Sequence, residues 1–403
     1  MRTEVRIVLA VAIAVGVCLI LVAIIGIQPT SESSAPVAAE GPSQAVLLEA
    51  GGSWPMFRGG QRLLGRASGT LSDSLALAWK FKTKAEVKSS PVIDDGLVFV
   101  GSVDANVYAI DQSSGKMAWM FGADDAVEAT PCVVQGSVFV GSAGGFLYAL
   151  DAKTGQLKWK YETDAEILGA ANWTRSPDGK AVWILVGSYD NKVHCVDSAT
   201  GEVVWTYETD MYVNGSPAVD EGRVVFGGCD AIIHVVSVAD GNMVTQIDSE
   251  AYIAGSAALE QGHAYVGNYD SVFLKADIKA GEILWKYSGG DSPYFSTPAI
   301  GDDVVVVGGR DKHLHCLGKD DGKVVWTFPT LGEVDSSPVI CDGKVIVGSE
   351  DGRLYMIRLT GPELVWSYEI GQPITSSPAV ANGMVVVGSD DGCVYAFGPT
   401  STP

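Results

Sequence analysis

Basic side chains are scarce in this chain of 403 residues: 27 Lys and Arg stand against 48 Asp and Glu, a net charge of −21. Binding a phosphate backbone requires a basic footprint, so nucleic acid is excluded as a partner. Cysteine is sparse as well. The seven Cys form no C-x-x-C, no C-x-x-C-H and no adjacent Cys-Cys pair, which removes structural zinc, c-type haem and thioredoxin-like chemistry. The chain also has no G-x-S-x-G, no D-x-D-x-D-G calcium loop and no Gly-rich phosphate loop at a strand-to-helix turn. What it does have is 47% hydrophobic residues and 48 Gly, the composition of a packed, turn-rich globular protein.

Residues 7–27 are 21 residues without a charge, preceded by Arg2, Glu4 and Arg6. That length spans a bilayer and exceeds the core of a cleaved signal peptide. The nearest small-residue cleavage pattern, Val37-Ala38-Ala39, lies too far downstream, and Val17 before Cys18 does not suit a lipoprotein signal. Residues 7–27 are therefore expected to be an uncleaved transmembrane signal anchor, with residues 1–6 cytoplasmic. No Lys or Arg follows until Arg58, so the positive-inside rule places the rest on the periplasmic, extracytoplasmic side of the cell envelope. Residues 28–52, rich in Pro, Ser, Ala and Gly, read as a flexible linker.

From residue 79 the chain repeats at about 40 residues. Trp79, Trp119, Trp159, Trp205, Trp285, Trp326 and Trp366 mark the register, with Thr245 in the missing place. A second marker keeps the same spacing: the Gly of V-x-V-G-[SG] at Gly101, Gly141, Gly187, Gly227, Gly267, Gly308, Gly348 and Gly388. Six extra residues fall in the third unit around Arg175-Ser176-Pro177-Asp178-Gly179. Each unit reads as four short strands with Asp, Gly or Asn turns every 8–12 residues, which is a propeller blade. The eighth unit supplies only three strands and no Trp, while Trp79 sits in an orphan strand ahead of the first unit. Pairing the two closes the ring and leaves no exposed sheet edge. Residues 53–403 are thus expected to form an all-β, eight-bladed β-propeller of four-stranded antiparallel blades.

The segment Ala109-x-Asp111-x-x-x-Gly115-x-x-x-Trp119 resembles the tryptophan-docking motif of the pyrroloquinoline-quinone (PQQ) propeller family. It recurs at Ala149, Asp151, Gly155 and Trp159 and at Cys195, Asp197, Gly201 and Trp205, and it decays in later units, where Ser237 and Gly318 replace the Asp. Trp54-Pro55-Met56-Phe57-Arg58-Gly59 is similar to a W-P-x-[FW]-R-G signature that precedes such propellers in bacterial envelope proteins. The family holds both quinoprotein dehydrogenases and non-catalytic scaffolds of the BamB type. The resemblance therefore implies either a role in envelope or outer-membrane protein assembly or, as the alternative, a PQQ-dependent oxidoreductase using PQQ with Ca2+.

The seven Trp residues read as structural docking groups, since one ligand needs one site and a buried indole stabilises by packing alone. Asp104, Asp190, Asp230, Asp270, Asp311, Asp351 and Asp391 occupy one turn in seven units and read as hairpin residues that tolerate positive φ. His194, His234 and His315 replace Tyr108 at one strand position, and the five His form no cluster. The alcohol-oxidising members of the resembled family use adjacent cysteines against the quinone; here the cysteines lie in different units. No catalytic, cofactor or metal residue is expected, and the chain is not expected to be an enzyme.

The departures from the repeat point elsewhere. Tyr189, Lys192, Tyr212, Tyr252, Tyr269, Tyr294, Phe295, Arg310 and Lys312 gather at the connections that share one propeller face, on units three to six. Exposed aromatics with Arg on an acidic surface have the composition of an interface hot spot. Trp173 and Trp183, beside the insertion, are assigned to the same sector. The expected function is a membrane-tethered scaffold that docks an envelope protein or an extended peptide there. A carbohydrate- or small-ligand-binding sensor would use the same rings.

Overall fold

The computed structural model describes residues 52–400. They form eight four-stranded antiparallel sheets, seven of them built outward from the channel in chain order. Blade 1 runs through Val92–Asp94, Leu97–Ser102, Asn106–Asp111 and Met117–Gly122. In that blade the strands Leu97–Ser102 and Asn106–Asp111 are almost continuously buried, while the outer strand alternates. The V-x-V-G runs follow from this: the middle strands are covered on both faces by neighbouring blades, so apolar side chains are favoured at every position. In blade 8 the outer place is taken by Leu75–Lys82, which pairs with Cys393–Pro399, Trp79 opposite Ala396. The N-terminal strand thus closes the ring.

A β-bulge lies beside the docking position in all eight outer strands. Such bulges re-aim a side chain, and here each indole reaches into the following blade. Trp79 donates its indole N–H to Gln112 O at 2.8 Å, Trp119 to Ala152 O at 2.9 Å and Trp205 to Val238 O at 2.9 Å. Trp159, Trp285 and Trp326 bond Ser198, Lys319 and Leu359 in the same way, and Trp366 reaches Leu75 O. The motif's glycine accepts the ring. A Cβ on Gly155 (φ 70°) would lie 2.6 Å from the Trp119 indole.

The residues just before the first blade form a strap across one end of the channel. Backbone N–H groups at one equivalent inner-strand position donate to it in order: Ile93 to Trp54 O, Val133 to Pro55 O, Val219 to Gln61 O, Leu259 to Arg62 O, Ile300 to Leu64 O and Ile340 to Gly65 O. In blade 3 the Asn172 carboxamide donates to Gln61 O instead. The strap is pinned by Arg58, which is buried and meets no carboxylate. Its guanidinium donates to Ser337 O and Pro298 O, both at 3.0 Å, and to Pro338 O. Burial pulls its pKa below the usual range.

Two expectations are corrected here. Positive φ falls on the residue after the turn Asp (Ala105, Asn191, Ala231, Ser271, Lys312), not on the Asp itself. Trp173 and Trp183 lie in the hairpin at the opposite end of blade 3 from the aromatic sector, because that turn joins the inner and second strands. Trp173 lines a cavity of about 510 Å³ with Arg62, Arg175 and Asp220, and Trp183 packs between blades 3 and 4. The anchor expected at 7–27, like nearly all of the linker, lies outside the described residues. Among the described residues no helix is long and apolar enough to cross a membrane.

Candidate partner-binding mouth of the channel

The strap makes the channel a blind well. Phe57 and a circle of equivalent inner-strand residues (Ser90, Thr130, Ala170, Ser216, Ser256, Thr297, Ser337, Ser377) line a cavity of about 200 Å³. The circle is a hydrogen-bonded circuit in which the backbone N–H of each residue donates to the hydroxyl of the next. The bonds are Ser90 to Thr130 (3.2 Å), Ala170 to Ser216 (2.9 Å), Ser216 to Ser256 (2.8 Å), Ser256 to Thr297 (3.3 Å), Thr297 to Ser337 (2.9 Å), Ser337 to Ser377 (3.0 Å) and Ser377 to Ser90 (2.9 Å). Ala170 has no hydroxyl and leaves the single gap, after Thr130.

Six of the seven turn Asp residues clasp the side chain four residues on in their own blade; the seventh, Asp270, is followed there by Leu274. Asp104 accepts from the Tyr108 hydroxyl at 2.7 Å, Asp351 from Tyr355 at 2.7 Å and Asp391 from Tyr395 at 2.6 Å. Where His replaces Tyr the pairing persists, as in Asp190–His194, Asp230–His234 (2.8 Å) and Asp311–His315. Blade 2 has Gly144 at the turn, and Asp124 reaches in to take the Tyr148 hydroxyl instead. Burial alone would raise the Asp230 carboxyl, but the hydrogen bond and charge of His234 and the Ile232 N–H outweigh it and hold it below its ordinary value. Among the described residues no three His, Cys, Asp or Glu side chains are placed to hold a metal ion. The repeated His, and every repeated Asp but Asp270, are absorbed in these clasps.

At the open end, each inter-blade connection bonds the turn between the second and third strands of the same blade: Glu86 O accepts from Val103 N, Tyr212 O from Cys229 N, Tyr252 O from Tyr269 N and Glu333 O from Glu350 N. The sequence-selected aromatics meet along this rim. Tyr189 and Tyr212 stack at 5.0 Å with planes 5° apart. Tyr252 meets Tyr269 edge-on at 6.3 Å, Tyr269 meets Phe295 at 4.8 Å, and the Arg310 guanidinium lies 3.8 Å over the Phe295 ring. Tyr212 is 47% exposed, Tyr252 50% and Tyr269 41%, a large apolar surface to leave in water. Lys192 pairs with Asp164 at 3.6 Å, and Lys312 is exposed at the blade 6 turn.

Tyr294 is a correction: it is 1% exposed, packed on Phe273 and His315. Its place in the repeat is that of Val87, Val127, Ile167, Val213, Ile253, Val334 and Ile374, all buried. Register therefore sends its side chain inward, and it cannot touch a partner.

The other half of the rim, which the sequence reading missed, is acidic. Glu333 and Asp335 lie in the connection from blade 6 to 7, Glu86 in that from blade 8 to 1 and Glu128 in that from blade 1 to 2, with Glu350 and Asp390 in the turns of blades 7 and 8, accompanied by Arg310 and Lys88. Burial and the neighbouring carboxylates Asp335 and Glu333 push the Glu350 carboxyl above its ordinary value. Asp390 is raised by burial and by Glu86 and Glu128. Part of the signal was present in the repeat: the place of Tyr212 and Tyr252 holds Glu86 and Glu333 on the far side, and that of Tyr189 and Tyr269 holds Glu350 and Asp390.

Fold and site together define a closed eight-bladed propeller with a blind central well and a rim divided between rings and carboxylates. The chain belongs to the PQQ-repeat family described as outer membrane protein assembly factor BamB, whose profile matches residues 69–182, 172–250, 189–296, 277–368 and 310–401. No curated protein matches it in sequence. Among solved structures it is similar to BamB from Moraxella catarrhalis, with 19% identity and a TM-score of 0.69 over 81% of this chain and 100% of that one. It is also similar to the quinohemoprotein alcohol dehydrogenase from Comamonas testosteroni, with 14% identity and a TM-score of 0.72 over 87% and 81%. A computationally designed protein, Ika8, reaches 17% identity and a TM-score of 0.70 over 79% and 98%. At these identities the likeness is one of fold.

Proposed function

We propose that this chain is a non-catalytic scaffold of the cell envelope. Residues 7–27 hold it in the membrane, and the propeller, on the extracytoplasmic side, docks another envelope protein or an extended peptide. Membership of the family described as an outer membrane protein assembly factor supports assembly of envelope proteins as the process it serves. The observation that carries this reading is the exposed aromatic run of Tyr212, Tyr252 and Tyr269 at the channel rim. Rings held in place by one another lose little entropy on binding and suit a hot spot.

The dehydrogenase alternative fits the residues poorly. PQQ is a tricarboxylate, and the acidic half of the rim through which the well opens carries six carboxylates against Arg310 and Lys88. The free cysteines Cys132, Cys195, Cys229, Cys316, Cys341 and Cys393 include no adjacent pair.

The test is photocrosslinking in cells with a benzophenone amino acid at position 212 or 252, and at exposed Lys153 on the opposite face as control. A discrete protein adduct from the rim, lost on Tyr269→Ala/Arg310→Ala replacement, is expected. No discrete adduct, or the same adduct from position 153, overturns the reading.

A further inference from the structure

We infer that the segment received at the channel rim is an extended one in which an aromatic or large apolar residue lies within a few residues of Lys or Arg, the ring meeting the tyrosine half and the cation the carboxylate half. This rests on the docking reading above and names the chemistry of its partner.

The two halves adjoin at Arg310, and that residue shows how the rim holds such a group. Its guanidinium lies on the Phe295 ring while bonding Asp335 through two nitrogens, at 2.9 and 2.6 Å, with Glu333 at 3.3 Å. Cation, ring and carboxylate are thus already combined once from within the chain. Around the rest of the acidic half, Glu350, Asp390, Glu86 and Glu128 face Lys88, an excess of three negative charges. Glu350 and Asp390 have no basic side chain in hydrogen-bond contact; the hydroxyl of Thr375 is the group that reaches Asp390. Burial first, and the neighbouring carboxylates after it, hold their carboxyls above the ordinary value; an incoming cation relieves the repulsive part.

Charge also excludes two nearer occupants. Residues 28–51 of this chain contain three Glu and no basic residue, so the linker would be repelled. A second copy brings a net charge of −21 to an acidic rim.

The full chain, in detergent, is titrated into a fluorescein-labelled nonapeptide of alternating Trp and Lys, and affinity is read by anisotropy. Two counterparts are run beside it, one with Glu for every Lys and one with Ser for every Trp. Binding of the Trp/Lys peptide is expected, weakening with salt and falling about tenfold or more in each counterpart. It should fall similarly in Glu350→Lys/Asp390→Lys and, independently, in Tyr252→Ser/Tyr269→Ser, each retaining the parent's melting temperature. Equal affinity for the Glu counterpart, indifference to both variant pairs, or full displacement by equimolar spermine would overturn the inference. The crosslinking above separates the two claims. A discrete partner attached through a segment without basic residues sinks this inference and leaves the docking reading standing. The absence of any discrete adduct removes the docking reading itself.

Discussion

The backbone N–H of Ser377 donates to the Ser90 hydroxyl at 2.9 Å, joining residues 287 apart and carrying the inner hydroxyl circuit from the last blade to the first. The same step is made by seven of the eight blades, and Thr130 alone finds no hydroxyl ahead of it because residue 170 is Ala. Ala170→Ser should complete the circuit. It is expected to raise stability by about 0.5–1.5 kcal/mol, the net value of one hydrogen bond, visible as a higher denaturant midpoint with unchanged slope. A lower midpoint would mean that the Thr130 N–H is already satisfied.

The strap depends on Arg58. Arg58→Met keeps much of the volume but leaves three carbonyls without their donor. A loss of about 2–3 kcal/mol is expected, as for hydrogen bonds to a charged group. Gly65→Ala should act in the same direction, since its Cβ would lie 1.8 Å from the Arg58 guanidinium at a φ of 61°. Thermal unfolding of the two variants checks this. Unchanged midpoints would show that the strap does not contribute to the ring's stability.

Stability should peak on the mildly acidic side of neutrality. The carboxyls of Asp104, Asp124 and Asp230 are lower in the folded chain than unfolded, so their contribution is complete above about pH 4 and is lost as pH falls through their folded values. Those of Glu350 and Asp390 are raised, so the folded chain takes up their protons first and gains stability as pH falls toward them. Melting temperatures from pH 8 downward should rise slightly to roughly pH 5 and then fall steeply. In Glu350→Gln/Asp390→Asn the initial rise should vanish while the acid fall remains.

Calorimetric titration of PQQ with Ca2+ into the full chain should give no saturable heat, because a tricarboxylate must pass the acidic rim. Tight one-to-one binding would overturn the scaffold reading and direct attention to the rim carboxylates as bases.

Much of this architecture was legible in the chain itself. Two markers, the docking Trp and the V-x-V-G glycine, keep one register through eight units, and the orphan strand at Trp79 implied closure. The register also held the answer for Tyr294: seven units place Val or Ile at its position, which means an inward side chain, yet its aromatic character drew it into the exposed set. The turn Asp was recognised as repeated, but its partner four residues on could not be seen, since a hairpin explains an isolated Asp equally well. Arg58 stood in a recognised motif without a visible purpose. Its acceptors, Pro298, Ser337 and Pro338, lie more than 200 residues away.

The chain alone determined the number of blades, the order of strands and the faces to be buried, because each rests on local periodicity repeated at constant spacing. It also determined the net charge of −21, which argues against nucleic acid as a partner. Tertiary structure decided what the ring does with its irregularities. Closure brings eight equivalent positions to one circle, so that single-residue differences between units become neighbours across the channel rather than events 40 residues apart. Only there do the tyrosines of blades 3 to 5 and the carboxylates of the remaining blades become two halves of one rim, and only there does the strap turn an open channel into a well.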